Sequence, residues 1–246
     1  MDGSFVLAIF GPTASGKTVV AQELGSRFPA EVVSADSMQV YRGLPILTNQ
    51  PSTPARLVGV WELDHESSVA EYQLVAHEAI DEILAAGRTP IVTGGTGLYL
   101  RAALATLELP PPPAPGRREH WQGVYDRLGG ERAHQLLAAR DPATAVSVHP
   151  NDRRRVVRAL ELTDVGRSLK PAIDQLWNSD MRHPTLVVGL ELSADELQRR
   201  IEARSEAMFA AGVEDEVTRA LAGPISTTAR KAMGLKEIAN LDREQA

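Results

Sequence analysis

The chain has 246 residues, of which 43% are hydrophobic and 24% charged, and its formal net charge is −6. No apolar stretch is long enough to cross a bilayer, and the run of six apolar residues after Asp2 is too short for a signal peptide. We therefore expect a soluble, cytoplasmic protein with no membrane partner, and we expect it to be a monomer. The absence of cysteine excludes disulfides, thiolate metal sites and a cysteine nucleophile.

The first motif in the chain is the stretch Gly-Pro-Thr-Ala-Ser-Gly-Lys-Thr at 11–18. It lies between an apolar run typical of a buried strand and a stretch with helical spacing, which is the context of a phosphate-binding loop. Backbone N–H groups and the Lys17 ammonium would hold phosphates, and the Thr18 hydroxyl would coordinate Mg²⁺. The predicted phosphate-binding residues are Gly11, Thr13, Ala14, Ser15, Gly16, Lys17 and Thr18.

A second strand, ending near Ser34, runs directly into the polar residues Asp36, Ser37 and Gln39. The loops after parallel strands open on the ligand side of a sheet, so these side chains should face the same crevice as Lys17. Asp36 is therefore a candidate catalytic carboxylate. A turn or helix-capping aspartate is the alternative interpretation.

The segment 57–63 reads as a further strand, and 69–86 has the apolar spacing of a helix that ends at Gly87. The segment 89–101 again reads as strand, glycine turn and helix. Its glycines do not form the dinucleotide-binding pattern G-x-G-x-x-G. Thr93 and Gly94 occupy the positions where many phosphate-loop NTPases end a strand with a Mg²⁺-binding aspartate. That absence weakens the interpretation of the chain as a kinase.

The middle of the chain differs in composition from both flanks. Five prolines within 110–115 predict a stiff linker, and the spacing of apolar residues predicts two short helices over 116–140 and a third over 152–162. Residues 117–158 carry nine Lys and Arg against five Asp and Glu, a net charge of +4, whereas 1–116 carry −6 and 159–246 carry −4. A basic segment between acidic flanks is expected if that segment alone contacts a polyanion.

The third helix of this segment has an apolar stripe and a face that carries Arg153, Arg154, Arg155 and Arg158. A solvated, paired face is the usual explanation of such a run. Asp152 and Glu161 are too few to pair all four guanidinium groups, which favours an anionic ligand.

The final third predicts a buried strand over 185–192, a helix opened by the capping box Ser193–Glu196, and helices over 213–221 and 227–241. We therefore predict an α/β fold, a P-loop NTPase-like parallel sheet flanked by helices, with a small helical insertion domain. The expected core domain comprises 1–109 and 159–246, and the expected insertion comprises 110–158.

Four stretches together carry a family resemblance. Residues 11–18, Ser-Ala-Asp-Ser-Met-Gln-Val-Tyr-Arg-Gly at 34–43, Gly-Gly-Thr-Gly-Leu-Tyr-Leu-Arg at 94–101 and Asn-Asp-Arg-Arg-Arg-Val-Val-Arg-Ala-Leu-Glu at 151–161 resemble the tRNA dimethylallyltransferases, also called tRNA isopentenyltransferases. The resemblance implies transfer of a dimethylallyl group from dimethylallyl diphosphate to N6 of the adenine 3′ of the anticodon, with release of diphosphate.

The resemblance also implies roles for individual residues. Asp36, Arg101 and Thr18 would be catalytic: Asp36 accepts a proton from the adenine amine, whereas Arg101 and the Mg²⁺ held by Thr18 share the charge of the diphosphate bound by the loop. The residues that would contact the anticodon stem-loop of the tRNA are Asp36, Ser37, Met38, Gln39, Thr96, Arg154, Arg155, Val156, Val157 and Arg158.

Three departures from the family pattern stand out. Residues 44–51 lack the lysine of an Asp-Ile-Gly-Thr-Ala-Lys-Pro-like stretch, and 58–65 replace a His-His-Leu-Ile-Asp-like stretch. Bacterial members usually continue beyond the stretch at 232–237 into a basic C-terminal helix that helps to grip tRNA, and this sequence ends soon after it. Two alternatives stay open: an isopentenyltransferase that acts on free adenine nucleotides, of the cytokinin-producing kind, and a P-loop kinase or nucleotide-gated RNA-binding module.

Overall fold

A computed structural model of the protein describes residues 5–110, 114–169 and 180–244. The chain forms two compact units, one made of Met1–Leu107 with Asp180–Ala246 and the other of Glu108–Ser179. We call them the sheet unit and the helical unit. Among the described residues no helix combines the length and the apolarity required to cross a bilayer.

The regular elements of the described residues alternate between strands and helices in the sheet unit, whereas those of the helical unit are all helices. In chain order they are β1 (Val6–Phe10), α1 (Lys17–Arg27), β2 (Ala30–Ser34), α2 (Val69–Ala85), β3 (Thr89–Gly94), α3 (Gly97–Leu104), α4 (Arg117–Leu128), α5 (Gly130–Arg140), α6 (Pro142–Ala145), α7 (Arg153–Thr163), β4 (Thr185–Gly189), α8 (Ala194–Ala210), α9 (Val213–Leu221) and α10 (Leu235–Glu244).

The four described strands form one parallel sheet in the order β2-β3-β1-β4. Phe10 at the end of β1 is in register with Gly94 at the end of β3 and with Gly189 at the end of β4. Ser34 at the end of β2 pairs with Thr93. The loops that follow all four strands therefore leave the sheet at one level, which is where ligands bind in open parallel sheets.

Helices cover both faces of the central strands. Leu7, Ile9 and Ile91 on one face pack with Ala21 of α1, and the intervening side chains, such as Val92, are buried on the other face. Helices α2 and α3 pack against each other and against β3. The predicted α/β fold, a parallel sheet flanked by helices, is confirmed.

Strand β4 differs from its expected burial. Leu186, Val187 and Val188 are 57%, 50% and 37% exposed, although their sequence is typical of a buried strand. An edge position alone does not explain this, since the other edge strand, β2, has the buried Val33 and Ser34. The exposure follows because no described helix packs closely over either face of β4. Helix α8, which follows it, has no buried side chain.

Two further local expectations differ from the structure. The segment 57–63 is not a strand, because Leu57 and Gly59 both adopt positive φ and turn the backbone out of an extended path. The helix expected over 227–241 is divided at Gly234, whose φ is 88°. A short 3-10 turn, Ala229–Lys231, precedes that glycine, and α10 follows it.

The helical unit is built around one apolar cluster contributed by α4, α5, α6 and α7. Trp121, Leu137, Ala159 and Leu160 are all buried in it. Our expected boundary after residue 158 would cut α7 and remove the last two of these side chains from their own core. The structure places the boundaries of this unit after Leu107 and after Ser179.

A carboxylate joins three helices of the helical unit. Asp164 Oδ2 accepts hydrogen bonds from Trp121 Nε1 at 2.7 Å and from the Arg117 guanidinium, and Oδ1 accepts one from Arg140 at 3.3 Å. Burial raises the pKa of the Asp164 carboxyl, but the Trp121 N–H and the Arg117 guanidinium outweigh burial and leave that pKa below the usual range. Since the pKa is lower in the folded state, the stability that this ion contributes is present above the unfolded pKa and is lost as the pH falls.

We expect Asp164→Asn to lower the free energy of unfolding by about 1–3 kcal/mol near neutral pH, because the buried Trp121 N–H and two guanidinium groups lose an ionic acceptor. The difference from wild type should shrink as the pH falls below the usual aspartate pKa of about 3.9, where the wild-type carboxyl becomes protonated too. Urea unfolding over this pH range measures the difference. Glu131→Gln, which removes an exposed carboxylate of the same unit that forms no ion pair among the described residues, is the control, and a gap for Asp164→Asn that is independent of pH would contradict the assignment.

Candidate active site

The loop at 11–16, which we call the glycine loop, joins β1 to the start of α1. Ala14 and Gly16 adopt positive φ of 64° and 92°. A Cβ on Gly11 would lie 2.8 Å from Ser15 Oγ and 2.9 Å from the Leu190 carbonyl oxygen, so this position admits only glycine. No side chain caps the first turn of α1, which leaves its N–H groups and the positive end of its dipole available to an anion.

Lys17 folds back over the glycine loop. Its Nζ donates hydrogen bonds to the carbonyl oxygens of Gly11 at 2.8 Å and Pro12 at 2.6 Å. Burial lowers the pKa of the Lys17 ammonium, the Asp36 carboxylate raises it, and the nearby Arg204 guanidinium lowers it. The cation therefore has neutral partners in its own loop and two charged neighbours.

The glycine turn after β3 lies directly against the glycine loop. A Cβ on Gly94 would be 2.6 Å from the Ala35 carbonyl oxygen, and one on Gly95 would be 3.3 Å from the Gly11 carbonyl oxygen and 3.8 Å from Lys17 Nζ. These contacts bring the loops after β1, β2 and β3 together. Thr96 follows as the N-cap residue of α3, with a side chain that makes no capping hydrogen bond.

Asp36 has features of both a turn aspartate and a candidate catalytic carboxylate, the two interpretations that the sequence left open. Its Oδ1 accepts hydrogen bonds from the backbone N–H groups of Met38 at 2.9 Å and Gln39 at 3.4 Å, as in an Asx turn. Its charge acts on Lys17 and Arg204 at the same time. Among the described residues no donor occupies Oδ2, so one oxygen fixes the turn and the other is open to a ligand.

Two arginines of α8 belong to this site and were not identified from the sequence. Burial lowers the pKa of the Arg204 guanidinium, and Asp36 opposes that shift. One turn earlier, Arg200 Nη1 lies 3.6 Å from the Cβ position of Gly16, and its Nε donates to Glu196 at 2.7 Å. The i, i+4 spacing of these arginines is a signal, but it is common on solvated helices, and only the fold brings them to the glycine loop.

Of the residues that the sequence assigned to tRNA near Asp36, Gln39 is engaged within the protein. Its Oε1 accepts from Ser34 Oγ at 2.9 Å, and its Nε2 donates to the carbonyl oxygens of Thr48 at 3.2 Å and Asn49 at 2.9 Å. Met38 packs partly against the apolar cluster that contains α9. Ser37 is half-buried beside Asp36. Contact between a base and Gln39 would require exchange of these hydrogen bonds.

Arg101 lies in the last turn of α3, half-buried. Its Nη1 donates to Met181 Sδ at 3.2 Å, on the segment that leads into β4. A role of Arg101 at the diphosphate stays a prediction.

The arginine face of α7 is more fully paired than the sequence indicated. Arg153 makes two hydrogen bonds to Asp126 of α4, at 2.8 and 2.7 Å, a partner that the sequence did not identify. The other pairs are Arg155 with Asp152 at 3.5 Å, and Arg158 with the buried Glu161 at 2.9 Å. Arg154 is exposed and pairs with no acidic side chain in the described part of the chain.

Val156 and Val157 require a correction. Both were assigned to tRNA contact with the arginines beside them, but they are 0% and 4% exposed. They belong to the apolar cluster of the helical unit, because their positions in α7 face α4 and α5. Their side chains cannot reach an RNA while this core is intact.

The glycine loop and the first turn of α1 also contain oxygen atoms that suit a magnesium ion. Among the described residues no hydrogen-bond partner occupies the Thr18 hydroxyl, and Ser15 Oγ is buried without a partner. Hydroxyl and phosphate oxygens are hard ligands of the kind that Mg²⁺ prefers. No cluster of three His, Asp or Glu side chains suited to a metal occurs in the described ranges, so a bound ion would depend on ligand phosphates.

We expect Gly94→Ala to lower the free energy of unfolding by roughly 1–3 kcal/mol, because its Cβ would overlap the Ala35 carbonyl oxygen and force the loops apart. Gly25→Ala in α1 is the control, since nothing lies within 4 Å of that Cβ position and alanine favours the helix by about 1 kcal/mol. Urea unfolding of both variants measures the effect. Equal stability of the two would contradict the close packing of the loops.

Comparison with known proteins identifies relatives over nearly the whole chain. The model of the IPP transferase family matches residues 39–245. A tRNA dimethylallyltransferase of Acidothermus cellulolyticus is 42% identical over 243 residues, which is 95% of this chain and 75% of that protein. The tRNA dimethylallyltransferase of Streptomyces coelicolor is 38% identical over 95% of this chain and 76% of its own.

Solved structures agree with this relationship. The tRNA isopentenylpyrophosphate transferase of Bacillus halodurans superimposes with a TM-score of 0.66 at 31% identity, covering 99% of this chain and 78% of its own. A eukaryotic dimethylallyltransferase acting on tRNA superimposes with a TM-score of 0.73 at 27% identity, covering 88% of this chain and 56% of its own.

Proposed function

The chain belongs to the IPP transferase family, and from that premise we propose that it transfers a dimethylallyl group from dimethylallyl diphosphate to N6 of the adenine 3′ of the anticodon in tRNA. Diphosphate is the second product. The observation that carries the proposal is the convergence of Lys17, Asp36 and Arg204 at the glycine loop. This arrangement supplies cations for a leaving group and a carboxylate for a proton.

The leaving group would be stabilised by the glycine loop. As the bond between the allylic carbon and oxygen breaks, its electron pair passes to the diphosphate, and charge builds up there. The uncapped N–H groups of α1, the Lys17 ammonium and the Arg204 guanidinium all carry positive charge at this place. Binding of diphosphate would replace the two carbonyl partners of Lys17 with an anion, a change that favours the protonated amine.

Asp36 would act as the base. The exocyclic amine of adenine is a weak nucleophile and must lose a proton as its nitrogen bonds to the allylic carbon. Asp36 Oδ2 is the oxygen without a donor among the described residues, and the turn bonds to Oδ1 hold the carboxylate in place. A carboxylate positioned in this way contributes about 10²–10⁴-fold to a rate by proton transfer.

We propose Mg²⁺ as the cofactor, held by the Thr18 hydroxyl together with the substrate diphosphate. The bound ion would neutralise part of the charge on the leaving group. This proposal rests on the hydroxyl oxygens of Ser15 and Thr18 described above.

The acceptor would be tRNA rather than a free adenine nucleotide. Support comes from the exposed Arg154 and Arg155 of α7 in a segment of net charge +4 within an acidic chain. The target base must leave the stack of the anticodon loop, and cations that hold the neighbouring phosphates stabilise that state. Thr96 and Ser37 are polar groups near the site that suit contacts with the displaced nucleotide. We propose that the protein acts in the cytoplasm, as a monomer.

We expect Asp36→Asn to reduce the rate of diphosphate release in the presence of tRNA by about 10²–10⁴-fold, because an amide cannot accept the proton. Binding of tRNA should change little, since the amide keeps its shape and its Oδ1 acceptor. The control is Asp64→Asn, which removes one exposed carboxylate from the same unit. Wild-type turnover in Asp36→Asn would exclude this residue as the base.

We expect the double variant Arg154→Ala, Arg155→Ala to bind tRNA more weakly and with a flatter dependence on salt. If both arginines hold phosphates, removing each one should reduce the slope of log K against log salt by about 0.7 for single-stranded RNA. The matched control is Arg127→Ala, Arg132→Ala, which removes two arginines from α4 and α5 of the same unit. An unaltered slope in the first variant would favour the free-nucleotide alternative.

A further inference from the structure

A buried carboxylate of the sheet unit has no place in the chemistry described so far. Glu216 in the first turns of α9 is only 4% exposed. Its Oε2 accepts a hydrogen bond from the Ile46 N–H at 2.9 Å, and its Oε1 accepts one from the Leu47 N–H at 2.8 Å. Both oxygens therefore bind backbone that is distant in sequence and follows the Asp36 motif.

The surroundings of Glu216 make this arrangement specific. Leu44, Leu47, Val213 and Val217 form an apolar cluster around it. Burial of an ionised carboxylate in such surroundings is costly unless its oxygens are hydrogen-bonded. The two charge-assisted bonds satisfy it, so the position of α9 and the position of residues 46–47 are fixed together.

The segment that Glu216 holds is a compact turn, which we call the 44–50 turn. Thr48 N donates to the Leu44 carbonyl at 3.0 Å, Asn49 N to Ile46 at 3.1 Å, and Gln50 N to Pro45 at 2.9 Å. In a helical turn the first N–H groups lack partners within the turn. Glu216 supplies those partners from another helix, as an N-cap residue does locally.

The other end of the 44–50 turn holds the Asp36 loop. The carbonyl oxygens of Thr48 and Asn49 accept from Gln39 Nε2, as described above. In return, Gln50 Nε2 donates to the carbonyl oxygens of Gln39 at 3.2 Å and Tyr41 at 2.7 Å. Gln39 is thus fixed through both its side chain and its backbone.

Gln39 completes the connection to the base, because its N–H donates to Asp36 Oδ1. An unbroken series of hydrogen bonds therefore runs from Glu216 through the 44–50 turn and Gln39 to Asp36. Helix α9 also packs against α8, which carries Arg204. Helix α9 is therefore connected to Asp36 through hydrogen bonds and to the helix that carries Arg204 through packing.

We propose that Glu216 is a positioning residue for the transfer reaction: through the 44–50 turn and Gln39 it sets the orientation of the Asp36 carboxylate. This inference rests on the proposed function. Misplacement of a catalytic group by about 1 Å can cost about 100-fold in rate.

The test is Glu216→Gln. The glutamine has a single acceptor oxygen, so its NH₂ group would face one of the two backbone donors, Ile46 N–H or Leu47 N–H, and one hydrogen bond would be lost. We expect kcat with tRNA to fall by about 10-fold to 100-fold, with the KM for dimethylallyl diphosphate unchanged because Lys17 and the glycine loop are untouched. The control is Asp215→Asn, which removes the same charge from the same helix end but outside the buried cluster. A kcat equal to that of the control would overturn the proposal.

Hydrogen exchange provides a readout that does not depend on activity. In Glu216→Gln we expect the amides of Ile46 and Leu47 to lose protection, and those of Met38 and Gln39 to lose protection with them. A loss confined to Ile46 and Leu47, or one spread evenly over the sheet unit, would contradict a link to Asp36. An inactive wild-type protein would instead refute the proposed function, and the exchange data would still decide the link.

A second variant covers the case in which Glu216→Gln does not fold. Gln50→Ala removes the two bonds to the Gln39 and Tyr41 carbonyls from a half-buried position outside the apolar cluster. We expect the same fall in kcat at constant KM. If both variants fold, their combination should lose no more than the larger single effect, because they interrupt one series of bonds. Unchanged kcat in Gln50→Ala, or fully additive losses, would overturn the proposal.

Discussion

The parallel register of the sheet is the constraint on which the site depends. Because Phe10 pairs with both Gly94 and Gly189, the chain leaves three strands at one level, and the loops that follow must share a small volume. Only residues without a Cβ fit where those loops touch, at Gly11 and Gly94. Because the loops pack closely, the Lys17 ammonium interacts with the Asp36 carboxylate. Helix α8, which follows β4 in the chain, contributes Arg204 to the same place. Opposite charges therefore lie close together beside the uncapped N-terminus of α1, which is the arrangement that the proposed chemistry would use.

The sequence predicted those parts of the fold that rest on local patterns. Apolar spacing and cap residues predict the strands β1 and β3, the helices α2 and α8 and the N-cap residue Ser193, and the structure has them. Of the predicted capping box only the Ser193 half forms, since the Glu196 carboxylate pairs with Arg199 and Arg200. The sequence did not predict the exposure of β4 or the boundary of the helical unit, because both depend on contacts between elements that are distant in sequence. Thr185–Gly189 is as apolar as a buried strand, but its side chains are exposed because no described helix packs closely over them. The boundary drawn after residue 158 followed the change in charge, whereas the apolar side of α7 belongs to the helical core as a whole.

The candidate site was predictable to the extent that a contiguous motif defines it. The glycine loop, Lys17 and Asp36 are such cases. Arg204 and Glu216 could not be predicted in this way, because the sequence of an amphipathic helix does not indicate which loop an arginine or glutamate on it will contact. The amide of Gln39 binds Ser34 and the 44–50 turn, which the sequence did not indicate, and its contact with tRNA stays a prediction. The sequence also underestimated how many arginines of α7 are paired, because Arg153 of α7 binds Asp126 of α4, which is distant in sequence.

We propose that the charges at the glycine loop serve alkyl transfer to a tRNA adenine. The most direct measurement offers the purified protein labelled dimethylallyl diphosphate together with equal concentrations of an anticodon stem-loop and AMP, with Mg²⁺ present. Nuclease digestion and mass spectrometry of the nucleosides then locate the label. We expect label on N6 of the adenosine 3′ of the anticodon and release of diphosphate in equal amount. Label found on AMP with none on the stem-loop would contradict it.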